Sequence, residues 1–153
     1  MIGGGPVVDS PSLDQMLGQM LVVGTAGVSL EEPAVQQTLA QARAGQIGGI
    51  IFFRYNIQDP AQARALMGGF EQAEAPLPLF TLVDQEGGKV QRLGSSNGFR
   101  DFPSQQDLGS RGDVEAARES YAEMGRMLRN AGVNFNFAPC VDVDSEPSCP
   151  VIG

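Results

Sequence analysis

Apolar positions along this chain switch repeatedly between helical spacing and short continuous runs, and each switch predicts a helix followed by a strand. Residues 12–19 read as a short helix, with Ser12 and Gln15 spaced as a capping box. They run into Met20-Leu21-Val22-Val23-Gly24, which reads as a first buried strand. The next helix covers residues 33–44 and is closed by Gly45; residues 49–53 form the second strand. Asp59, with Pro60 at the first helical position, opens a third helix expected to reach about Ala75. Gly68-Gly69 weaken that helix internally. Residues 78–84 supply the third strand.

The fourth unit has the clearest pattern. Asp113 caps a helix that reaches Ala131 and stops at Gly132. Val114, Ala117, Tyr121, Met124 and Leu128 recur at spacings of three and four and make one apolar face. Residues 133–138 then read as a fourth strand. Val133, Phe135 and Phe137 alternate there with Asn134 and Asn136, so the two faces of that strand should meet different environments. Strands alternating with helices imply parallel βαβ units, here in one α/β domain over residues 1–153. An open doubly wound sheet and half of a barrel look alike at this level.

Composition narrows the field. A complete (β/α)8 barrel usually takes roughly 250 residues, and this chain has 153. Its net charge is −8, without the Lys and Arg clusters that neutralise phosphates, so nucleic acid is not an expected partner. The longest apolar run, residues 48–53, falls far short of the about 18 residues that span a bilayer, and no membrane association is expected. Residues 1–9 lack the basic start and apolar core of a signal peptide, which predicts a cytoplasmic address for the chain as it stands. Cys140 and Cys149 could pair, although free thiols fit that address better. There is no His, which excludes Ser-His-Asp and Cys-His catalysis within the chain.

In parallel α/β folds, ligands gather at the carboxyl ends of the strands, so polar residues that follow a strand are the candidates. The third strand ends in Asp84-Gln85-Glu86-Gly87-Gly88-Lys89-Val90-Gln91-Arg92. Carboxylates that accept from paired hydroxyls and an Arg that donates to ring substituents would suit a neutral sugar. A charged turn, with Asp84 or Glu86 capping the next element and Arg92 paired to it, fits the same residues. After the fourth strand, Asp142, Asp144 and Glu146 alternate as in a calcium loop, but Pro147 stands where that loop needs Gly. An extended loop with Asp142 buried or hydrogen-bonded at the strand end is the better reading. No metal or cofactor is expected. Gly3-Gly4-Gly5 and Gly24-Thr25-Ala26-Gly27 lack the ending and spacing of phosphate loops. Tyr55 and Asn56, after the second strand, could line the same pocket as Asp84.

The segment from Asp84 to Arg92 is similar to the Asp-Gln-Glu-Gly-Gly-Arg-Val-Gln-Arg signature of bacterial glycoside hydrolase family 3 β-N-acetylglucosaminidases. Gly48-Gly49-Ile50-Ile51-Phe52-Phe53 resembles the second strand of that family. Ala131-Gly132-Val133-Asn134-Phe135-Asn136-Phe137-Ala138-Pro139, with Val141-Asp142-Val143, resembles its fourth, and Pro150-Val151-Ile152-Gly153 the segment that follows. Lys89 stands where the family has Arg, residues 93–97 look rearranged, and Asp144 replaces a common Asn.

The resemblance implies the N-terminal half, about four βα units, of a (β/α)8 barrel. The activity it implies is retaining hydrolysis of terminal β-linked N-acetylglucosamine, often from peptidoglycan fragments or chitooligosaccharides, without metal. Asp84 and Arg92 would bind sugar hydroxyls, with Glu86, Gln85 and Asp142 as further candidates. The family's nucleophile and acid/base would lie beyond Gly153, so a truncated enzyme that is inactive by itself is expected. A β-glucosidase or β-xylosidase of the same family, and a non-catalytic half-barrel that binds sugar, are the alternatives. Open strand edges would favour self-association.

Overall fold

The computed structural model describes residues 10–143 and residue 145. The readings that rest on Gly3-Gly4-Gly5, residues 1–9, Asp144, Glu146, Pro147, Cys149 and residues 150–153 lie outside the described residues. Within them the chain forms α1 (Leu13–Gln19), β1 (Val22–Gly24), α2 (Pro33–Arg43), β2 (Gly49–Phe52), α3 (Pro60–Glu71), β3 (Phe80–Val83), α4 (Gln105–Arg111), α5 (Val114–Ala131) and β4 (Phe135–Asn136). The strands pair in chain order, β1-β2-β3-β4, and every pairing is parallel. This is the α/β arrangement expected of four βα units at the start of a barrel.

Local chemistry sets most of the helix starts. The Ser12 hydroxyl accepts from the Gln15 backbone N–H while the Gln15 amide oxygen accepts from the Ser12 N–H, completing the capping box. The Asp59 carboxylate accepts from the N–H groups of Ala61 and Gln62, and Pro60 occupies the first turn, where no N–H is missed. Asp113 accepts from Ala116, and Gly132, at φ 95°, ends α5 in the left-handed conformation.

The core lies on one face of the sheet. Ile50 and Phe52 of β2 and Val83 of β3 pack there against Val35 and Leu39 of α2, Leu66, Met67 and Phe70 of α3, and Met124 and Leu128 of α5. The Phe52 and Phe70 rings meet edge-on at 5.7 Å. Strand side chains alternate, and the register sets Val22 beside Gly49, Gly49 beside Phe80, Ile51 beside Leu82, and Leu82 beside Phe135. Those residues share the second face. On it Val22, Phe80, Phe135 and Phe137 keep between 40 and 47% of their surface exposed. Phe135 makes edge contacts with Phe80 and Phe137 at 5.5 and 5.1 Å.

Several expectations need correction. β1 is not buried: Val22 is half exposed, and Met20 and Leu21 before it are more so, because the strand lies at the end of the described sheet and Val22 stands on its second, partly exposed face. α3 ends at Glu71 rather than near Ala75, since Pro76 and Pro78 follow and the residue before a proline resists helical backbone. β4 is a two-residue ladder, because the Asn134 and Asn136 side chains take over part of its pairing. The Asn134 amide oxygen accepts from Thr81 N–H, its amide nitrogen donates to the Leu79 carbonyl, and Asn136 brackets Gln85 in the same two ways. On α5, Met124 and Leu128 are buried, Ala117 and Tyr121 are half buried, and Val114 is exposed. Val114, Ala117 and Tyr121 line a cavity of about 390 Å3 with Leu108, Pro139 and Cys140. Among the described residues, no helix is long and apolar enough to cross a membrane.

Candidate functional site

Asp84 is the first residue past β3 and continues the alternation of Phe80 and Leu82, so it stands at the carboxyl end of the second face. From there residues 85–92 make a tight excursion and return Arg92 to it. Glu86 N–H donates to the Val90 carbonyl at 2.8 Å, and Gly88 N–H to the Phe102 carbonyl at 2.8 Å. Gly87 has φ 95° and lies so close to the next segment that a Cβ would sit 2.1 Å from the Pro103 carbonyl oxygen. Gly88 has φ 57°, and a Cβ there would come within 2.7 Å of Ser104 Cβ. Both positions therefore require glycine.

Gln85 holds the return leg. Its side chain is fully buried; Oε1 accepts from the backbone N–H groups of Arg92 and Leu93, and Nε2 donates to the Leu93 carbonyl. The amide expected to touch a ligand is thus committed to the loop backbone, and its role is to place Arg92. Gln91 secures the outer leg, accepting from Phe102 N–H and donating to the Gly88 carbonyl.

The result is an ion pair: Arg92 Nη2 lies 2.8 Å from Asp84 Oδ2, with about a quarter of each side chain exposed. The Arg92 guanidinium also lies over the Phe53 ring at 5.8 Å. Arg92 Nε is buried and has no hydrogen-bond partner among the described residues. A charged turn would also pair Arg92 with Asp84. It would not explain a buried donor left unmatched beside that carboxylate. Glu86 is half buried near the pair. Desolvation raises its pKa above the usual carboxylate value, with Asp84 adding to the rise and Arg92 opposing it.

The other candidates are placed differently. Asp142 lies on the exposed loop after β4, where it accepts from the Cys140 thiol at 3.5 Å; the structure does not join it to the Asp84–Arg92 pair. Asn56 does not line the pocket. It is fully buried, donating to the carbonyls of Thr25 and Gly27 and accepting from Phe53 N–H. Tyr55 is 62% exposed and stacks on Phe53 at 5.6 Å. Phe53, which only the three-dimensional arrangement brings to the site, links Tyr55 to Arg92. Its signal in the sequence was its place on the same face as Gly49 and Ile51, two positions past Ile51. Among the described residues, no group of three or more His, Cys, Asp or Glu could hold a metal ion.

Residues 12–153 match the glycosyl hydrolase family 3 N terminal domain. Beta-hexosaminidase LpqI of Mycobacterium tuberculosis is 35% identical over 153 residues, which cover 98% of this chain and 36% of that protein. Beta-hexosaminidase A of Pseudoalteromonas piscicida is 40% identical over 114 residues, or 69% of this chain and 19% of that protein. The chain thus spans about a third or less of the length of these curated relatives. A glycoside hydrolase family 3 beta-N-acetylglucosaminidase from Paenibacillus sp. superposes with a TM-score of 0.83 at 37% identity, covering 94% of this chain and 27% of that one. The beta-N-acetylhexosaminidase of Beutenbergia cavernae gives a TM-score of 0.69 at 34% identity, over 90% of this chain and 40% of that one. With the fold, the strand-end ion pair and these likenesses in agreement, the chain belongs to the glycosyl hydrolase family 3 N-terminal domain family.

Proposed function

We propose that Asp84 and Arg92 form part of the sugar pocket of a retaining glycoside hydrolase that removes terminal β-linked N-acetylglucosamine. The observation that carries this reading is the buried Arg92 Nε, without a hydrogen-bond partner among the described residues, beside the Asp84 carboxylate at the end of β3. A sugar's neighbouring hydroxyls offer both complements. One hydroxyl hydrogen is donated to the carboxylate, and one oxygen accepts from the guanidinium. Phe53 below the guanidinium and the fully buried Gln85 behind it keep this pair in place before any sugar arrives. The names of the relatives favour a hexosaminide over a glucoside or xyloside substrate.

Retaining hydrolysis needs a nucleophile and an acid/base on opposite sides of the scissile bond, their carboxyls about 5–5.5 Å apart. In this reading Asp84 is committed to Arg92 and to hydroxyl binding, Glu86 supports the pocket's charge, and Asp142 stands off on its loop. None of them is assigned either catalytic role, and the 153-residue chain by itself has no hydrolytic activity.

The test is an NMR titration of the chain with N-acetylglucosamine, together with an assay on an aryl N-acetyl-β-glucosaminide. The expected outcome is shifts of Asp84 and Arg92 that Asp84→Asn weakens at least tenfold, with no turnover above background. Turnover that Asp84→Asn removes would overturn the assignment of roles. Binding indifferent to Asp84→Asn would overturn the pocket itself.

A further inference from the structure

The ion pair is only as well placed as the backbone that carries it, and one asparagine of β4 holds that backbone where β3 ends. Val83 is the last residue of β3 and stands opposite Asn136. The Val83 carbonyl accepts from Phe137 N–H at 3.0 Å, which fixes the peptide before Asp84. A side chain fixes the peptide after it. Gln85 N–H donates to Asn136 Oδ1 at 3.0 Å, and Asn136 Nδ2 donates to the Gln85 carbonyl at 2.9 Å. The Asn136 amide is half buried against α5, with Nδ2 3.9 Å from Met124 Sδ. Gln85 in turn reaches the other member of the pair, because its side-chain oxygen accepts from Arg92 N–H at 2.8 Å and Leu93 N–H at 3.0 Å.

We infer that Asn136 is a positioning residue for the sugar-binding pair. Through Gln85 it sets the direction of the Asp84 carboxylate and the place of the Arg92 backbone relative to the sheet. This role rests on the sugar pocket proposed for Asp84 and Arg92. A binding pair gains affinity from being held in its bound geometry before the ligand arrives, and that needs supporting groups whose own positions are fixed. Both peptides that flank the Asp84 Cα are bonded to β4, one through the ladder and one through the Asn136 amide. The sheet, rather than the loop, therefore aims the carboxylate. Without that amide the peptide after Asp84 loses its hold, and the Gln85 N–H and carbonyl lose their partners. Asn134 supplies a built-in comparison. Its amide oxygen accepts from Thr81 N–H at 2.9 Å and its nitrogen donates to the Leu79 carbonyl at 2.9 Å. These are bonds of the same kind, but they lie at the amino end of β3, and they secure the strand without touching the segment that carries the pair.

The test is an NMR titration with N-acetylglucosamine of the wild-type chain, Asn136→Ala and Asn134→Ala, each accompanied by its thermal melt. Each substitution removes two side-chain bonds to the β3 segment and should lower the melt. Asn136→Ala should also weaken sugar binding about three- to tenfold, while Asn134→Ala should leave it within about twofold. Should Asn136→Ala not fold, Asn136→Gln keeps both polar groups but moves them out by one methylene, and it should show the same weakening. Unchanged affinity in a folded Asn136 variant, or equal weakening by Asn134→Ala, would overturn the positioning role and leave the pocket standing. If the wild-type chain shows no sugar-dependent shift at Asp84 or Arg92, the pocket fails and the positioning role fails with it.

Discussion

Gly87 is the residue on which the geometry of the candidate site turns. Its positive φ disfavours any other side chain, and a Cβ would collide with the Pro103 backbone, which has no flexible end to move aside. Gly87→Ala should cost about 1–3 kcal/mol from backbone conformation alone, with the collision added to that. Gly112 also has positive φ, at 64°, but a Cβ there meets nothing within 4 Å, so Gly112→Ala should show only the conformational part. Urea unfolding of both variants checks the difference; equal losses would mean that residue 103 does not crowd Gly87. At this scale, Asp84 and Arg92 could be picked out in the sequence because polar residues just past a parallel strand are where ligands gather. The internal duties of Gln85 and Asn56 could not. Asn56 bonds to a carbonyl 31 residues away, and nothing in its local pattern distinguishes a buried clamp from an exposed ligand group.

At the level of elements, the two glycines inside α3 separate two reasons for tolerating glycine in a helix. A Cβ at Gly68 meets nothing within 4 Å, whereas one at Gly69 would lie 2.5 Å from the Leu30 methyl groups. Gly68→Ala should therefore stabilise the fold by about 0.5–1 kcal/mol. Gly69→Ala should gain less or lose, because Leu30 must move. Thermal melts of the two variants provide the comparison, and equal gains would show that Leu30 yields freely. The helices with strong starts were the legible ones. Ser12 with Gln15, and Asp59 with Pro60, announce α1 and α3 from adjacent residues alone. α4 was missed although Ser104 and Asp107 cap it, because a seven-residue helix with one buried residue, Leu108, leaves no apolar period to detect. β4 was read too long because its alternation is genuine, while asparagine side chains replace part of its ladder.

The whole molecule is lopsided. One face of the sheet is dry beneath α2, α3 and α5, while the other keeps Val22, Phe80, Phe135 and Phe137 half exposed between β1 and β4, edges that pair with no further strand among the described residues. Leu13, Met16 and Leu17 of α1 add a second exposed apolar surface. Such edges and patches favour association. The 153-residue chain should sediment as a concentration-dependent dimer or larger species, and replacing Val22 and Phe137 together by serine should weaken association about tenfold or more. A monomer at all concentrations would show that these surfaces are screened. The strand order bears on how such a sheet forms. Among the described residues each strand after β1 pairs with its immediate predecessor in the chain, so none of these strands waits for a later one before it can dock. A chain emerging amino end first from the ribosome can add one βα unit at a time, each new strand settling on the edge that the last one left open.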